Sequence, residues 1–343
     1  MERKIAVVTG ASGGIGRATA IEFGRHGWHV ALLARGTDGL EGARRDVEAA
    51  GGQAMVVPTD VAEHDQVEVA AERVEREWGP IDVWVNDAMA TIFCEADAIA
   101  PADFKRATEV TYLGAVWGIM AALRRMKPRN RGTIVQVGSA LAYRSVPLQA
   151  PYCGAKSAIR GYVDSVRTEL IHDKSRVHLS MVQLSAFNTP QFDWGRTCLP
   201  RKPKPLGKIF QPEVAARGIY WAATHRRREL WVGWPAVQAI VGTRVLPGLL
   251  DRMMAHTAFE GQEDREPVSP DRRDNLYEPV PGDFGAHGRF DAKAVDSSTQ
   301  LWLTTHPLAS TLGLVASAAA VVLSWRALAR QWRGNGKRKL ALR

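Results

Sequence analysis

Three side chains stand at spacings that could run acid–base chemistry on an oxygen. Ser139 follows a β-branched run, and Tyr152 and Lys156 lie four residues apart in a helical pattern, so those two share one face. A free tyrosine has a pKa near ~10, too high for easy proton exchange at neutral pH. A nearby ammonium favours the phenolate and brings that value down. The trio reads as a hydroxyl donor, a phenol and a cation that tunes it, which is what protonating or deprotonating a carbonyl or alcohol oxygen requires. A tyrosine and a lysine at helical spacing could equally be a surface pair, so the reading depends on what surrounds them.

Upstream, Thr9-Gly10-Ala11-Ser12-Gly13-Gly14-Ile15-Gly16 joins an apolar strand-like run to a helical one. Glycines let the backbone turn sharply and approach a pyrophosphate, and the helix N-terminus behind them offers free N–H donors and positive potential. At the end of the second strand, 19 residues after Gly16, an acid would hold the ribose 2′-hydroxyl of NAD. Here the residues are Ala34 and Arg35, which favours a 2′-phosphate and hence NADP(H) over NAD(H), with Arg17 as a second cation; otherwise Arg35 is a solvated loop residue.

These residues need a scaffold, and the rest of the pattern supplies one. Strand-like runs at 4–8, 29–34, 54–57, 81–85, 133–137, 177–182 and 230–232 alternate with helical runs at 14–26, 38–50, 64–78, 101–126, 151–172 and 212–224. Such alternation predicts an α/β fold, a Rossmann-type doubly wound sheet of seven parallel strands flanked by helices. Residues 1–256 form the catalytic domain in this reading, with a proline-rich lid at about 188–211. A Pro/Gly-rich linker or strap (257–300), an apolar helix (301–325) and a basic tail (326–343) follow.

With these motifs in order, residues 3–235 resemble the short-chain dehydrogenase/reductase family in its single-domain form. The resemblance implies that Thr9, Gly10, Ser12, Gly14, Ile15 and Gly16 hold the coenzyme. It puts Asp60 and Val61 at the adenine, Asn86 and Ala88 after the fourth strand, and Thr189 at the nicotinamide carboxamide. Ser139 would position and polarise the carbonyl, Tyr152 would exchange the proton, and Lys156 would also contact the nicotinamide ribose. A homo-oligomer through the helices at 101–126 and 151–172 is expected on the same ground. The chain departs from the family pattern at Asp87 and Met89, where Asn86-Asp87-Ala88-Met89 replaces Asn-Asn-Ala-Gly, and at Ser185-Ala186, where Pro-Gly is usual. The family's catalytic asparagine falls on Thr111, whose hydroxyl could still hold a water in a proton relay.

Leu141, Tyr143, Val146, Phe93, Phe192 and Trp194 follow motif positions that line the pocket, which predicts an apolar small-molecule substrate. Nucleic acid is not expected as a partner. The net charge is +9, but residues 326–343 hold seven Lys/Arg and no acid, so the rest has 38 basic against 36 acidic residues. The three cysteines, Cys94, Cys153 and Cys198, fit neither a disulfide scaffold nor a metal site and suggest a reducing, cytoplasmic setting. Cys153 reads as a small filler.

The uncharged run from Leu308 to Trp325, with Trp302 before it and the cations after it, predicts membrane association through residues 301–343. Spanning, lying on anionic lipid and packing as a soluble helix all fit this pattern. The chain therefore reads as an NADP-dependent oxidoreductase. The alternative is a nucleotide-binding sensor or scaffold on the same fold, suggested by Thr111 and Met89.

Overall fold

The computed structural model describes residues 4–311. Seven strands, β1 (Ile5–Thr9), β2 (His29–Ala34), β3 (Gln53–Pro58), β4 (Val83–Asn86), β5 (Thr133–Val137), β6 (His178–Leu184) and β7 (Glu229–Val232), form one sheet. Their order is β7-β6-β5-β4-β1-β2-β3, and every adjacent pair is parallel. Parallel strands covered on both faces read as unbroken apolar runs, and β1 is buried at all five positions. The order reverses between β1 and β4, so the crevice at their carboxyl ends is where such sheets take ligands.

Ten helices belong to this body: α1 (Gly14–Arg25), α2 (Thr37–Ala49), α3 (His64–Trp78), α4 (Pro101–Thr108), α5 (Gly114–Met126), α6 (Ala150–His172), α7 (Gln191–Trp194), α8 (Pro212–Thr224), α9 (Trp234–Val245) and α10 (Pro247–Gly261). The helix expected over 101–126 is interrupted by one π-helical turn, Glu109–Leu113, between α4 and α5. That turn carries Thr111. Trp84, Phe23, Ile119 and Met126 are fully buried between the sheet and its helices.

The proline-rich segment after β6 is pinned at several points. Ala186–Phe187 pairs with Ile209–Phe210, Ile92–Phe93 with Arg196–Thr197, and Arg201–Pro203 with Glu263–Pro267. The second pairing brings Cys94 and Cys198, 104 residues apart, to a Cα separation of 5.0 Å in a disulfide. This corrects the expectation of unpaired cysteines and removes its argument for a reducing compartment. Cysteine spacing cannot reveal a bond whose register is set by two short distant strands. Cys153 is free and buried, in line with a filler role.

Residues 268–298 contain no strand ladder, yet they fold back over the carboxyl ends of the sheet, and Leu276 is buried in the main core. The compact unit ends at Ser298, and a second begins with the short helix Thr299–Thr305. Residues 312–343, which hold most of the expected apolar helix and all of the basic tail, lie outside the described residues. Among the described residues no helix is long and apolar enough to cross a membrane.

Candidate active site

Where β1, β4, β5 and β6 end, the chain encloses a cavity of about 430 Å³. Ser139, two residues past β5, caps the short turn Ala140–Ala142, its Oγ accepting the Leu141 N–H at 3.1 Å. Tyr152 and Lys156 come from the first turns of α6 and line the same cavity. The sequence-predicted trio is therefore brought together, although the electrostatics differ from the expectation. Lys156 Nζ donates to the Val137 carbonyl at 2.9 Å and lies 5.5 Å from the centre of the Tyr152 ring, over its face. Burial pushes the Tyr152 phenol above its ordinary value, and the neighbouring Ser139 hydroxyl only partly opposes this. The lowering expected from the ammonium is not what sets this phenol: burial dominates, and Cys153 and Asp87 add to the rise.

Sequence reasoning treated Asp87 only as a departure from the family pattern. The residue follows β4 directly and its backbone N–H is held by Thr9 Oγ at 3.0 Å. The enclosed carboxyl accepts the Gly16 N–H in the first turn of α1 and feels the charge of Lys156. Burial raises it to about 6, against the pull of Lys156 and Gly16. The same burial lowers Lys156 to about 8, with Asp87 opposing. A carboxylate right after a central strand was the available signal, since that is where the sheet directs its ligand groups.

Several residues expected to touch the coenzyme shape the site from behind it. Thr9 Oγ accepts from the N–H groups of both Asp87 and Ala88, fixing the turn after β4. Asn86 accepts from the Trp84 indole and donates to the Ala115 carbonyl, and a Cβ on Gly16 would lie 2.3 Å from the Gly10 oxygen. None of these three lines the cavity, whereas Gly10, Ser12, Gly14, Ile15, Arg35, Asp60, Val61, Ala88 and Thr189 do, as does Met89. Thr111 corrects a sequence expectation. Its hydroxyl donates to the Ala90 carbonyl and accepts the Ala90 N–H, both at 2.9 Å, so it is engaged with backbone and does not face the cavity.

Of the substrate-side residues, Leu141, Val146, Phe192 and Trp194 line the cavity, and Phe93 packs behind Phe192. Tyr143 does not. Its hydroxyl donates to Glu229 at 2.7 Å and its ring faces Arg160 and Arg244, because the turn after Ser139 directs it toward β7. The sequence reading missed Leu206, Ala239 and Met254 on this side. It also missed the wall contributed by Asn275, Pro279, Val280, Gly282 and Phe284.

The residues present fit a nicotinamide dinucleotide. Gly10 and Gly14 adopt φ of +72° and +58°, and a Cβ on Gly10 would stand 2.9 Å from Ala88 Cα, so the turn at the N-terminus of α1 needs glycine. The cavity runs from Arg35 and Asp60, past that turn, to Tyr152 and Lys156, which suits a long ligand with an anionic middle. Arg17, expected as a second phosphate cation, is instead 5 % exposed and paired with Asp46 and Asp283. Among the described residues no cluster of His, Cys, Asp or Glu forms a metal site.

Comparison with known proteins agrees with this geometry. The short chain dehydrogenase family model matches residues 4–194. The "uncharacterized oxidoreductase YxnA" of Bacillus subtilis is 29% identical over 327 residues, covering 93% of this chain and 91% of that protein. The 3-dehydrosphinganine reductase of Danio rerio is 29% identical over 219 residues, 62% of this chain and 65% of that protein. Among solved structures, an alcohol dehydrogenase from the archaeon Thermococcus sibiricus complexed with 5-hydroxy-NADP superposes with a TM-score of 0.58 at 26% identity, covering 67% of this chain and 96% of that one. A metagenomic short-chain oxidoreductase in complex with NADP gives 0.57 at 27% identity, with the same coverage. The chain belongs to the short-chain dehydrogenase family and is an NAD(P)-dependent oxidoreductase.

Proposed function

We propose that the protein interconverts an apolar carbonyl compound and its alcohol with NADP(H), Tyr152 serving as general acid–base. One observation carries the reading: Ser139, Tyr152 and Lys156 meet the glycine turn in a single cavity that Leu141, Val146, Phe192 and Trp194 also line. The nicotinamide, when bound, supplies or accepts the hydride. Ser139 Oγ–H donates to the substrate oxygen and fixes its position. The Tyr152 hydroxyl then gives its proton to that oxygen as negative charge builds there, and burial keeps the phenol protonated until it does. Lys156 is held in place by the Val137 carbonyl, with the Asp87 carboxyl as its counter-charge. Gly10, Gly14 and the first N–H groups of α1 would hold the pyrophosphate, Asp60 and Val61 the adenine, and Thr189 the carboxamide.

Preference for the 2′-phosphate is supported by Arg35 at the end of β2, which lines the cavity and donates to the neutral carbonyls of Asn275, Leu276 and Tyr277, leaving its charge to an anionic ligand. The apolar substrate class is supported by the lining, where the nearby Arg144 is already paired with Asp251. The engaged Thr111 hydroxyl favours a second reading, a protein that binds the dinucleotide without turning it over. NADPH consumption with a panel of apolar ketones and aldehydes, alongside fluorescence titrations with NADPH and NADH, separates the two. The oxidoreductase reading expects turnover and the tighter complex with NADPH; binding with no consumption on any apolar carbonyl would establish the second reading. A homo-oligomer belongs to the same proposal, and light scattering showing a monomer would remove it.

A further inference from the structure

The segment after α10 crosses the site just described. Leu276 and Phe290 are both buried, at 0% and 4% exposure, and anchor the two ends of a run that contains Pro279, Pro281, Gly282, Gly285 and Gly288. Between the anchors no ladder of backbone bonds holds the run down. It is held by isolated latches instead. Arg35 donates to the carbonyls of Asn275, Leu276 and Tyr277 at the first anchor, the last at 2.6 Å. Arg17 pairs with Asp283, the Gly282 N–H donates to Asp38 at 3.0 Å, and the Gly14 N–H donates to the Gly285 carbonyl at 3.1 Å. Phe284 sets its ring edge-on against Trp194 of the lid, with centroids 5.0 Å apart.

Pro279, Val280 and Gly282 of this run line the same cavity as Ser12, Arg35 and Asp60. A dinucleotide lying from Arg35 to Tyr152 would pass beneath the run, taking the Gly14 N–H from the Gly285 carbonyl and Arg35 from the carbonyls of 275–277 as it enters. We propose that residues 277–289 are a strap, hinged at Leu276 and Phe290, that closes over the bound dinucleotide and has to lift for it to enter or leave. The inference rests on the proposed NADP(H) site and adds to it a second wall from the far end of the chain. Because Arg35 latches the strap and is also the side chain next to the expected 2′-phosphate, strap closure and cofactor choice meet at one residue. An apolar roof would shield the adenosine end from water, while the scattered polar latches allow the roof to open without unfolding the sheet beneath it.

The seam can be stapled. A Cβ on Gly36 would lie 3.3 Å from Pro279 Cβ, close to the ~3.5–4.5 Å of natural disulfides. The double variant Gly36→Cys/Pro279→Cys is prepared reduced and oxidised, with wild type treated identically to control for Cys94–Cys198, and NADPH exchange is followed by stopped-flow fluorescence. Oxidation after loading should slow NADPH release at least tenfold, oxidation before loading should slow association at least tenfold, and reductant should restore both. Oxidised and reduced forms that exchange NADPH within twofold of each other would overturn the strap. A wild type that fails to bind NADPH at all is the separate outcome that removes the cofactor reading, and the strap with it. If the reduced double variant alone fails to bind, hydrogen exchange of wild-type residues 277–289 decides: saturating NADPH slows it if the strap closes, and unchanged exchange refutes closure.

Discussion

The two halves of the cavity are built by different physics. On the nucleotide side, β1, the glycine turn and α1 are consecutive in the chain, and β2 joins them through a regular parallel ladder. Around residues 186–211 and 277–289, segments far apart are tied by pairings of two or three residues, one disulfide and single side-chain reaches: Arg35 to carbonyls about 240 residues away, Arg272 to the Gly195 and Phe192 carbonyls, and Arg289 to Asp193 and the Pro203 carbonyl. The first kind of order is cooperative and announces itself as periodicity. The second is a set of local fastenings, each removable without disturbing the sheet, which suits walls that must admit ligands.

The largest effect that would break this contrast concerns the disulfide. Cys94→Ser with Cys198→Ser should lower stability by ~2–4 kcal/mol, measured by urea unfolding, since the bond closes a loop of about 100 residues. The loss should appear first as faster hydrogen exchange in 196–210; equal loosening of β1–β3 would mean that the halves are not separable. Next, Arg35→Ala removes charge-assisted bonds worth about 1.5–3 kcal/mol. NADPH affinity should fall roughly tenfold to a hundredfold and NADH affinity, which loses only the latch, by clearly less; an equal loss for both would assign Arg35 to the strap alone.

A third effect is a slope with pH. The Asp87 carboxyl titrates at about 6 in the folded chain against 3.8 as its ordinary value, so between those values the folded protein keeps a proton that the unfolded chain has released. Its stabilisation is full below the lower value and is lost as pH rises through about 6. Thermal midpoints of wild type and Asp87→Asn across pH 4–7 should therefore differ in slope over that interval, and parallel curves would contradict the assignment. Smallest is Tyr143→Phe, which loses one hydrogen bond to Glu229, about 1 kcal/mol of stability, and should leave KM for apolar carbonyls unchanged.

What the sequence disclosed follows the same division. All seven sheet strands lie within a few residues of their expected places because alternation and burial are local properties. The glycine turn and the convergence of Ser139, Tyr152 and Lys156 were legible through spacing on adjacent elements. Thr111 was not, because the destination of its hydroxyl, Ala90, is decided by how α4 and α5 pack against the loop after β4. Tyr143 turned away from the pocket for a similar reason, since its partner Glu229 sits on β7, 86 residues on. The Cys94–Cys198 bond was hidden because two short distant strands set its register, and the strap wall because no pattern in residues 268–298 points back to the glycine turn. Only the folded contacts of Asp283 and Gly285 do.

The central claim is that Tyr152 delivers the proton in a site that otherwise only binds and orients. Single-turnover oxidation of bound NADPH by an apolar ketone, in wild type and Tyr152→Phe, tests it most directly. The account predicts that the variant binds NADPH within a few-fold of wild type and loses at least ~10²-fold in rate, the lower end of general acid catalysis. An unchanged single-turnover rate in Tyr152→Phe would contradict it.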